Sequence, residues 1–258
     1  MNIFHVLIFG IVEGITEFLP ISSTGHLMLT AKLLALAQTE FQKSFEIAIQ
    51  LGAILAVIVL YWKTLLHGLD IWKRVLAAFL PTVCIGLLFY KVVKHFLLAN
   101  NGVVLWSLFI GGILLIVFEI FYREKADAVD AIPLISYKQS LCIGLFQSVA
   151  IIPGVSRAAA TIIGGLALGL KRKTIVEFSF FLAIPTMMAA TALDLMHSAG
   201  TFSSREFFLL ATGFLVSFLV ATIAVKFLLV FIKRHNFILF GVYRILIAIF
   251  FWLVWIRR

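Results

Sequence analysis

Long apolar segments dominate the hydrophobic pattern of the chain. Six of them have the length of about 20 residues or more at which an α-helix crosses a bilayer. They cover residues 43–62, 75–97, 103–122, 174–196, 206–232 and 237–256. Charged residues are sparse inside these segments and concentrate in the connections between them. The pattern therefore predicts an all-α polytopic membrane protein.

Four further apolar segments, residues 2–14, 22–37, 139–151 and 157–169, are too short to cross a bilayer alone. They form two pairs, which proline and small polar residues interrupt at 18–25 and 152–157. Non-helical backbone at membrane depth is tolerated only where it is buried in protein or lines a wet cavity. We therefore predict a re-entrant helical hairpin for each pair; one kinked spanning helix per pair is the alternative.

The two interruptions belong to an internal repeat. Pro20-x-x-Ser23 matches Pro153-x-x-Ser156 at an offset of 133 residues, and each half has one hairpin followed by three spans. Because three is odd and a re-entrant hairpin returns to its own side, the second repeat must run inverted relative to the first. The prediction is a single membrane domain, residues 1–258, with inverted-topology repeats over about 1–122 and 138–258.

Composition supports this class and excludes others. Hydrophobic residues make up 63% of the 258 residues and charged residues 13%. In soluble domains, hydrophobic residues average roughly 45–50% and charged residues about 25%. Cys84 and Cys142 both lie in apolar stretches and form no disulfide framework. Cytosolic enzymes, disordered chains and secreted disulfide scaffolds are therefore excluded.

The net charge of +9 is chiefly an orientation signal. One predicted face carries eleven basic residues: Lys63, Lys73, Arg74, Arg123, Lys125, Lys138, Lys171, Arg172, Lys173, Lys233 and Arg234. The other face carries six: Lys43, Lys91, Lys94, Arg205, Arg257 and Arg258. Because cytoplasmic loops carry the excess of Lys and Arg, we expect the first face to be cytoplasmic and both termini to lie outside. Nucleic acid is then not an expected partner.

The first interrupted segment carries two carboxylates on one helix face. Glu13 and Glu17 are four residues apart, so their side chains lie about one turn apart on the same side. Two like charges at that spacing repel each other unless a cation lies between them. A hard divalent cation such as Mg²⁺ or Ca²⁺ binds carboxylate oxygens and phosphate. The pair predicts a divalent-cation site; a proton-coupled carboxylate pair is the alternative.

Hydroxyl groups follow directly after Pro20. Ser22, Ser23 and Thr24 stand at the start of the second half-helix, and His26 lies about one turn further on. A hydroxyl beside an imidazole is the usual pairing of an activated nucleophile. Ser and Thr are also ordinary N-cap residues, but acids, hydroxyls and a histidine within one short membrane segment favour a catalytic site.

The second interrupted segment combines a glycine turn with a cation. Gly154 lets backbone N–H groups approach an anion at the positive end of the helix that follows Ser156. Arg157 can form bidentate hydrogen bonds with phosphate, and Thr161 lies one turn further on the same face. The segment predicts phosphate binding. A salt bridge from Arg157 to a glutamate of the first segment is the alternative, and it is compatible with a site.

Further ionisable residues lie inside apolar segments, where each is costly unless paired or hydrated. For Lys32, Lys226, Arg244, Glu119 and Asp194 we expect packing ion pairs or side chains that snorkel to the interface. Glu46 and Glu177 begin spans directly after the hairpins, which favours a helix-start role and a site role equally.

Together these motifs resemble those of the bacterial undecaprenyl-diphosphate phosphatase family, the bacitracin-resistance proteins. The resemblance covers nearly the whole chain and rests on EGITEFLPISSTGH at residues 13–26 and PGVSR at 153–157 with Thr161. FEIAIQLG at 45–52 and EFSF at 177–180 are also similar to the family. One departure is that Ala158 and Ala159 stand where the family commonly has Ser-Gly, which affects details of phosphate contact.

The resemblance implies an enzyme that removes the terminal phosphate from undecaprenyl diphosphate, leaving undecaprenyl phosphate for reuse in cell-wall synthesis. It implies a multi-pass protein of the bacterial plasma (inner) membrane with the site open to the outer face. The expected partners are the lipid substrate, the bilayer and a second copy of the chain in a homodimer.

In the resulting hypothesis, Glu13 and Glu17 hold the divalent cation, and Arg157 with the Ser156 backbone neutralises developing charge. Ser23 attacks phosphorus with His26 as base or acid; direct attack by water is the alternative. The residues expected to bind substrate are Ser22, Thr24, Gln50, Gly154, Ser156 and Thr161.

Three rival functions fit parts of the pattern. The inverted repeat is compatible with a polyprenyl-phosphate flippase, and the paired glutamates with an ion-coupled transporter. The Ser-Thr-Gly-His run at residues 23–26 resembles one element of type-2 phosphatidic acid phosphatases, but the other elements of that class are not found in the sequence.

Overall fold

The computed structural model describes residues 1–37, 39–92, 101–198 and 202–256. These residues form eleven α-helices and two short 3₁₀ turns, Ile132–Leu134 and Val149–Ile151. The helices are α1 (Ile3–Thr16), α2 (Ser23–Leu33), α3 (Glu40–Leu60), α4 (Trp62–His67), α5 (Leu69–Val92), α6 (Asn101–Phe121), α7 (Tyr137–Ser148), α8 (Arg157–Ala167), α9 (Arg172–Ser198), α10 (Ser204–Phe231) and α11 (Ile238–Ile256). The prediction of an all-α membrane protein is confirmed.

Four helices in the described residues are long and apolar enough to cross a membrane. They are Glu40–Leu60, Leu69–Phe89, Gly102–Phe121 and Ser204–Phe231. The predicted spans 174–196 and 237–256 coincide with α9 and α11, in which some side chains toward the C-terminal ends are not described. The predicted span 75–97 begins earlier than expected, at Leu69, and its last residues, 93–97, lie outside the described residues.

The outer surface of the bundle is apolar in the way that lipid requires. Large hydrophobic side chains point outward from several helices, among them Leu88 at 76% exposure, Phe121 at 81% and Ile223 at 70%. A water-soluble monomer rarely exposes so extensive an apolar surface. A polytopic membrane protein is the arrangement that explains it.

The two interrupted segments fold alike. In each, a helix of 12 to 14 residues (α1 or α7) is followed by a turn and an 11-residue helix (α2 or α8). Ser22 and Ser156 precede the second helices with φ of 72° and 74°, a region that L-residues rarely adopt. Each serine Oγ accepts a hydrogen bond from a backbone N–H of the first helical turn, from Gly25 in one case and Ala159 in the other.

Contacts between the helices are reciprocal. Helix α1 packs on α10, and its counterpart α7 packs on α5. Likewise α3 contacts α10, while α9 contacts α5, and the last helices of the two halves, α6 and α11, pack on each other. Each half of the chain thus supplies the packing surface for the interrupted segment of the other half.

Glycines allow these helices to approach closely. A Cβ built on Gly52 of α3 would overlap the Phe214 carbonyl of α10, and one on Gly144 of α7 would overlap the Ala78 carbonyl of α5. Lipid tails are as apolar as leucine, so membrane helices associate largely through such close packing of small residues. The glycines are therefore part of what holds the bundle together.

The connections that carry most of the basic residues gather at one end of the bundle. Arg74 donates from Nε to the Ile135 carbonyl at 2.7 Å, and the Arg172 N–H donates to Glu124 at 2.8 Å. The Phe237 N–H donates to Glu119 at 3.2 Å, which brings the α10–α11 connection to the same place. Of the smaller basic set, Lys94, Arg257 and Arg258 lie outside the described residues, as does the Lys91 side chain.

We expect Gly52→Ala to lower stability by about 1–3 kcal/mol, the usual cost of overpacking a close contact. Thermal unfolding of the purified protein in detergent measures the effect. Gly86→Ala is the matched control, because nothing lies within 4 Å of a Cβ at Gly86 in α5. Equal melting temperatures for the two variants would contradict the close α3–α10 packing.

Candidate active site

A polar cavity of about 100 Å³ lies where the two interrupted segments meet. Its lining residues are Glu17, Ser22, Ser23, Thr24, Gln50, Ala150, Pro153, Gly154, Ser156, Arg157 and Met187. The turn after α1 and the turn before α8 face each other across this space, and α3 and α9 each contribute one side chain. Eight residues named from the sequence therefore surround one cavity.

A chain of hydrogen bonds crosses the cavity wall from one half of the protein to the other. The Ser23 hydroxyl donates to Glu17 Oε2 at 2.6 Å, and Arg157 Nη2 donates to Glu17 Oε1 at 3.1 Å. The Arg157 and Glu17 side chains are 9% and 3% exposed, so the ion pair is shielded from water. The salt bridge from Arg157 to a glutamate of the first segment is therefore present, and both residues line the cavity.

Arg157 is held in place yet keeps a free donor. Its Nη1 donates to the Ser179 carbonyl at 2.9 Å, which fixes the guanidinium against α9. Among the described residues, its buried Nε has no hydrogen-bond partner. A buried donor without a partner is costly, and a phosphate oxygen in the cavity could satisfy it.

Glu13 lies one turn before Glu17 and is completely buried. Neither of its carboxylate oxygens is in hydrogen-bonding geometry with a donor among the described residues, and the charges of Glu17, Glu46 and Arg157 act on it. A buried, unsatisfied carboxylate is unfavourable. Its oxygens are therefore free to bind a cation or a proton.

The donor set at Glu13 and Glu17 suits a hard divalent cation. Within the described residues no cluster of three or more His, Cys, Asp or Glu side chains forms a cation site. A cation on these two carboxylates would take its other ligands from water and from substrate oxygens, as Mg²⁺ commonly does in phosphate-processing sites. The open oxygens of Glu13 fit such an ion, whereas each Glu17 oxygen also accepts a hydrogen bond, from Ser23 or from Arg157.

His26 is engaged on both ring nitrogens. Nδ1 lies 2.7 Å from the Ser22 carbonyl, and Nε2 lies 2.8 Å from the Tyr243 hydroxyl of α11. Since a carbonyl only accepts, Nδ1 carries the hydrogen, and Nε2 of the neutral ring accepts from Tyr243. The tyrosine ring also stacks on the imidazole, with centroids 5.5 Å apart. In this geometry Ser23 is hydrogen-bonded to Glu17, and His26 braces the turn at Ser22.

Thr161 lies behind the site rather than in the cavity wall. Its hydroxyl donates to the Arg157 carbonyl at 2.8 Å and is 3.3 Å from Gln147 Oε1. Gln147 in turn donates to Thr82 and Thr186 at 3.0 and 3.3 Å. Sequence analysis grouped Thr161 with the substrate-binding residues, whereas the structure gives it contacts that support the start of α8.

Sequence analysis singled out Arg244 but not its contacts, and it did not single out Tyr243. Arg244 was expected to snorkel or to form an ion pair, but it is fully buried and its hydrogen bonds all go to backbone carbonyls. An arginine in the middle of the apolar span of α11 was the available signal. No signal in the sequence indicated Tyr243, which is 217 residues away from His26 in the chain.

Of the other acids inside the apolar segments, Glu119 and Glu177 lie outside the cavity lining. Glu119 forms the expected ion pair with Arg172, close to the Phe237 backbone. Glu177 accepts a hydrogen bond from the Tyr61 hydroxyl at 3.2 Å, outside the cavity lining. Asp194 has a side chain outside the described residues.

Comparison with known proteins identifies the family of the chain. A family model described as bacitracin resistance protein BacA matches residues 6–250. The chain is 53% identical over 249 residues to a protein of Aquifex aeolicus named undecaprenyl-diphosphatase, covering 96% of this chain and 97% of that one. Proteins of the same name from Persephonella marina and Wolinella succinogenes are each 50% identical over 251 residues, covering 97% of this chain and 98% and 97% of theirs. The chain belongs to the BacA family of bacitracin resistance proteins.

Proposed function

We propose that this protein is an integral membrane phosphatase that hydrolyses undecaprenyl diphosphate to undecaprenyl phosphate and inorganic phosphate. The observation that carries the proposal is the buried Ser23–Glu17–Arg157 chain at the cavity: a hydroxyl, a carboxylate that accepts its hydrogen bond and a cation. The name shared by relatives at about 50% identity supports the same activity. The product returns to cell-wall synthesis as a lipid carrier.

The cavity suits a diphosphate headgroup rather than a prenyl chain. Its volume of about 100 Å³ is far too small for a C55 tail, and its lining is rich in hydroxyl and charged groups. The tail would stay in the lipid against the apolar outer surface. Arg157, whose Nε has no partner within the described part of the chain, and the backbone at the start of α8 supply positive potential for the phosphates.

In the first step the Ser23 oxygen forms a bond to the terminal phosphorus, and undecaprenyl phosphate leaves with the bridging oxygen. Glu17 accepts the Ser23 proton through the hydrogen bond of 2.6 Å. Arg157 stabilises the charge that develops on the phosphoryl oxygens. In the second step water hydrolyses the phosphoserine, which releases phosphate and restores the hydroxyl. Direct attack by a water that Ser23 positions is the alternative.

A Mg²⁺ or Ca²⁺ ion held by Glu13 and Glu17 belongs to the proposal. When bound, such an ion neutralises charge on the diphosphate and weakens repulsion between the carboxylates. The open oxygens of Glu13 support this role. His26, hydrogen-bonded between Ser22 and Tyr243, would then fix the Ser22 turn rather than take the Ser23 proton.

We also propose the inverted repeat with re-entrant hairpins, in the plasma (inner) membrane. The matching turns at Ser22 and Ser156 and the reciprocal helix contacts support it. The basic connections at one end of the bundle support a cytoplasmic position for that end, and in the proposal the site opens to the other, outer face. Reciprocal halves are also typical of transporters, so movement of undecaprenyl phosphate across liposomes is a second activity worth measuring.

Purified protein should release phosphate from C55 diphosphate, and Ser23→Ala should lower the rate by about 10³-fold or more, because the nucleophile is lost. Glu17→Gln should lower it by about 10²–10⁴-fold through loss of the base. Ser140→Ala, a buried serine of α7 that donates to the Ser136 carbonyl, is the matched control. A near-wild-type rate for Ser23→Ala would rule out the nucleophile role.

Removal of divalent cations with EDTA should abolish phosphate release, and added Mg²⁺ or Ca²⁺ should restore it. Glu13→Gln should raise the cation concentration for half-maximal activity by about 10–100-fold, as the loss of a metal-binding contact does elsewhere. The measurement is a cation titration of wild type and variant. Undiminished activity of either protein after chelation would refute the cation site.

The orientation can be tested in a variant in which Cys84 and Cys142 are replaced by Ala. A membrane-impermeant maleimide applied to spheroplasts should label Arg205→Cys, at the start of α10. It should label Arg234→Cys, beyond the end of α10, only after lysis. The reversed pattern would place the site on the cytoplasmic face, and labelling of both from outside would show that α10 does not cross the membrane.

A further inference from the structure

Arg244 connects three parts of the protein that are far apart in the chain. Its side chain extends from α11 into the interior and is fully buried. The carbonyl acceptors, with donor–acceptor distances, are Leu108 (Nε, 3.3 Å), Val155 (Nη1, 3.0 Å), Pro20 (Nη1, 3.4 Å), Gly154 (Nη2, 3.0 Å) and Ser107 (Nη2, 3.0 Å). One guanidinium therefore joins both interrupted turns to α6.

These contacts use the full hydrogen-bonding capacity of the side chain. A guanidinium has five N–H donors in a planar fork, and five carbonyls accept from it here. In the part of the chain that the structure describes, Arg244 has no carboxylate partner within salt-bridge distance. Burying an unpaired charge is expensive, so peptide dipoles must compensate for the lost hydration. Only a residue with this geometry satisfies all five carbonyls at once.

The contact with Val155 also determines where an amide of the site points. None of the peptide bonds in the described residues is cis, so each N–H points opposite to the C=O of the same peptide. The Val155 carbonyl is directed at Arg244, and the N–H of Ser156 in that peptide is therefore directed away from it. Among the described residues this N–H has no hydrogen-bond partner, and Ser156 lines the cavity.

We infer that Arg244 is a positioning residue of the active site: it fixes the turns at Pro20 and Gly154–Val155 relative to each other and directs the Ser156 amide toward the bound phosphate. Ser23 follows one of these turns and Arg157 the other. The nucleophile and the phosphate-binding groups therefore share one anchor that does not itself line the cavity. The inference rests on the proposed phosphatase activity.

Gly111 of α6 offers a way to move Arg244 without replacing it. A Cβ at Gly111 would overlap the Arg244 guanidinium, so Gly111→Ala must displace the guanidinium while leaving its charge and all cavity residues unchanged. Alanine is the better helix former of the two. Gly86→Ala, with nothing within 4 Å of the added Cβ, is the matched substitution in another helix.

The experiment compares kcat and KM for C55 diphosphate in monodisperse wild type, Gly111→Ala, Gly86→Ala, Arg244→Lys, Arg244→Gln and the Gly111→Ala/Arg244→Gln double variant. Gly111→Ala should lower kcat by about 10–100-fold, because misplaced groups lose transition-state contacts. Its KM should change by less than about 3-fold, since the lipid tail binds elsewhere. Arg244→Lys, which keeps the charge and three donors, should lose less activity than Arg244→Gln.

The double variant should be no less active than Arg244→Gln alone, because both changes act on one group. The inference is overturned if Gly111→Ala keeps the kcat of Gly86→Ala, or if Gly111→Ala causes the same loss with and without Arg244. It is also overturned if the variants give less folded protein but the folded fraction has wild-type kcat and KM. That result would show that Arg244 stabilises the fold without positioning the active site. If Arg244→Gln does not fold, the kcat values of Gly111→Ala and Arg244→Lys still test the inference. An inactive wild type would instead refute the proposed function.

Discussion

Satisfying the backbone at two helix interruptions is the constraint on which the rest of this structure depends. Within an apolar domain, carbonyls and amides freed by a break cannot turn to bulk water. Ser22 and Ser156 satisfy amides of the helices that follow, and Arg244 satisfies carbonyls of both turns. Ser22, Ser156 and Gly154 of the two interruptions also line the cavity, so the same turns that need this compensation form its wall.

The ion pair between Glu17 and Arg157 is the second interaction that fixes the two interrupted segments relative to each other. A buried pair gives little net stability, because desolvation offsets the attraction between the charges. Its value here lies in orientation, since the carboxylate that accepts from Ser23 is fixed by a cation from the opposite half. Ser179, through its carbonyl, holds that cation against α9. Chemistry and assembly thus depend on the same contact.

Sequence reasoning worked where the signal was local. Apolar segments predict helices because each span must be long and continuous, and the prolines at 20 and 153 marked both breaks. The short helix α4 was missed because six residues carry too little periodicity. The φ of 74° at Ser156 was also unexpected, since serine has no preference for that region.

Tertiary partners were out of reach for a different reason. The sequence showed that Arg244 needed compensation but not which groups would provide it, because the acceptors are backbone atoms that every residue possesses. His26 was assigned to Ser23 from proximity along the helix, whereas its ring contacts Tyr243 on α11. Such pairings depend on how helices cross, which no pattern within one segment specifies.

The bond between Glu17 and Arg157 spans 140 residues and joins the two halves of the chain. Neither half therefore contains all the groups of the proposed mechanism: one holds the acids and the hydroxyl, and the other holds the cation. If the chain arose by duplication, a single-length ancestor would have needed two copies to bring the counterparts of Glu17 and Arg157 into contact.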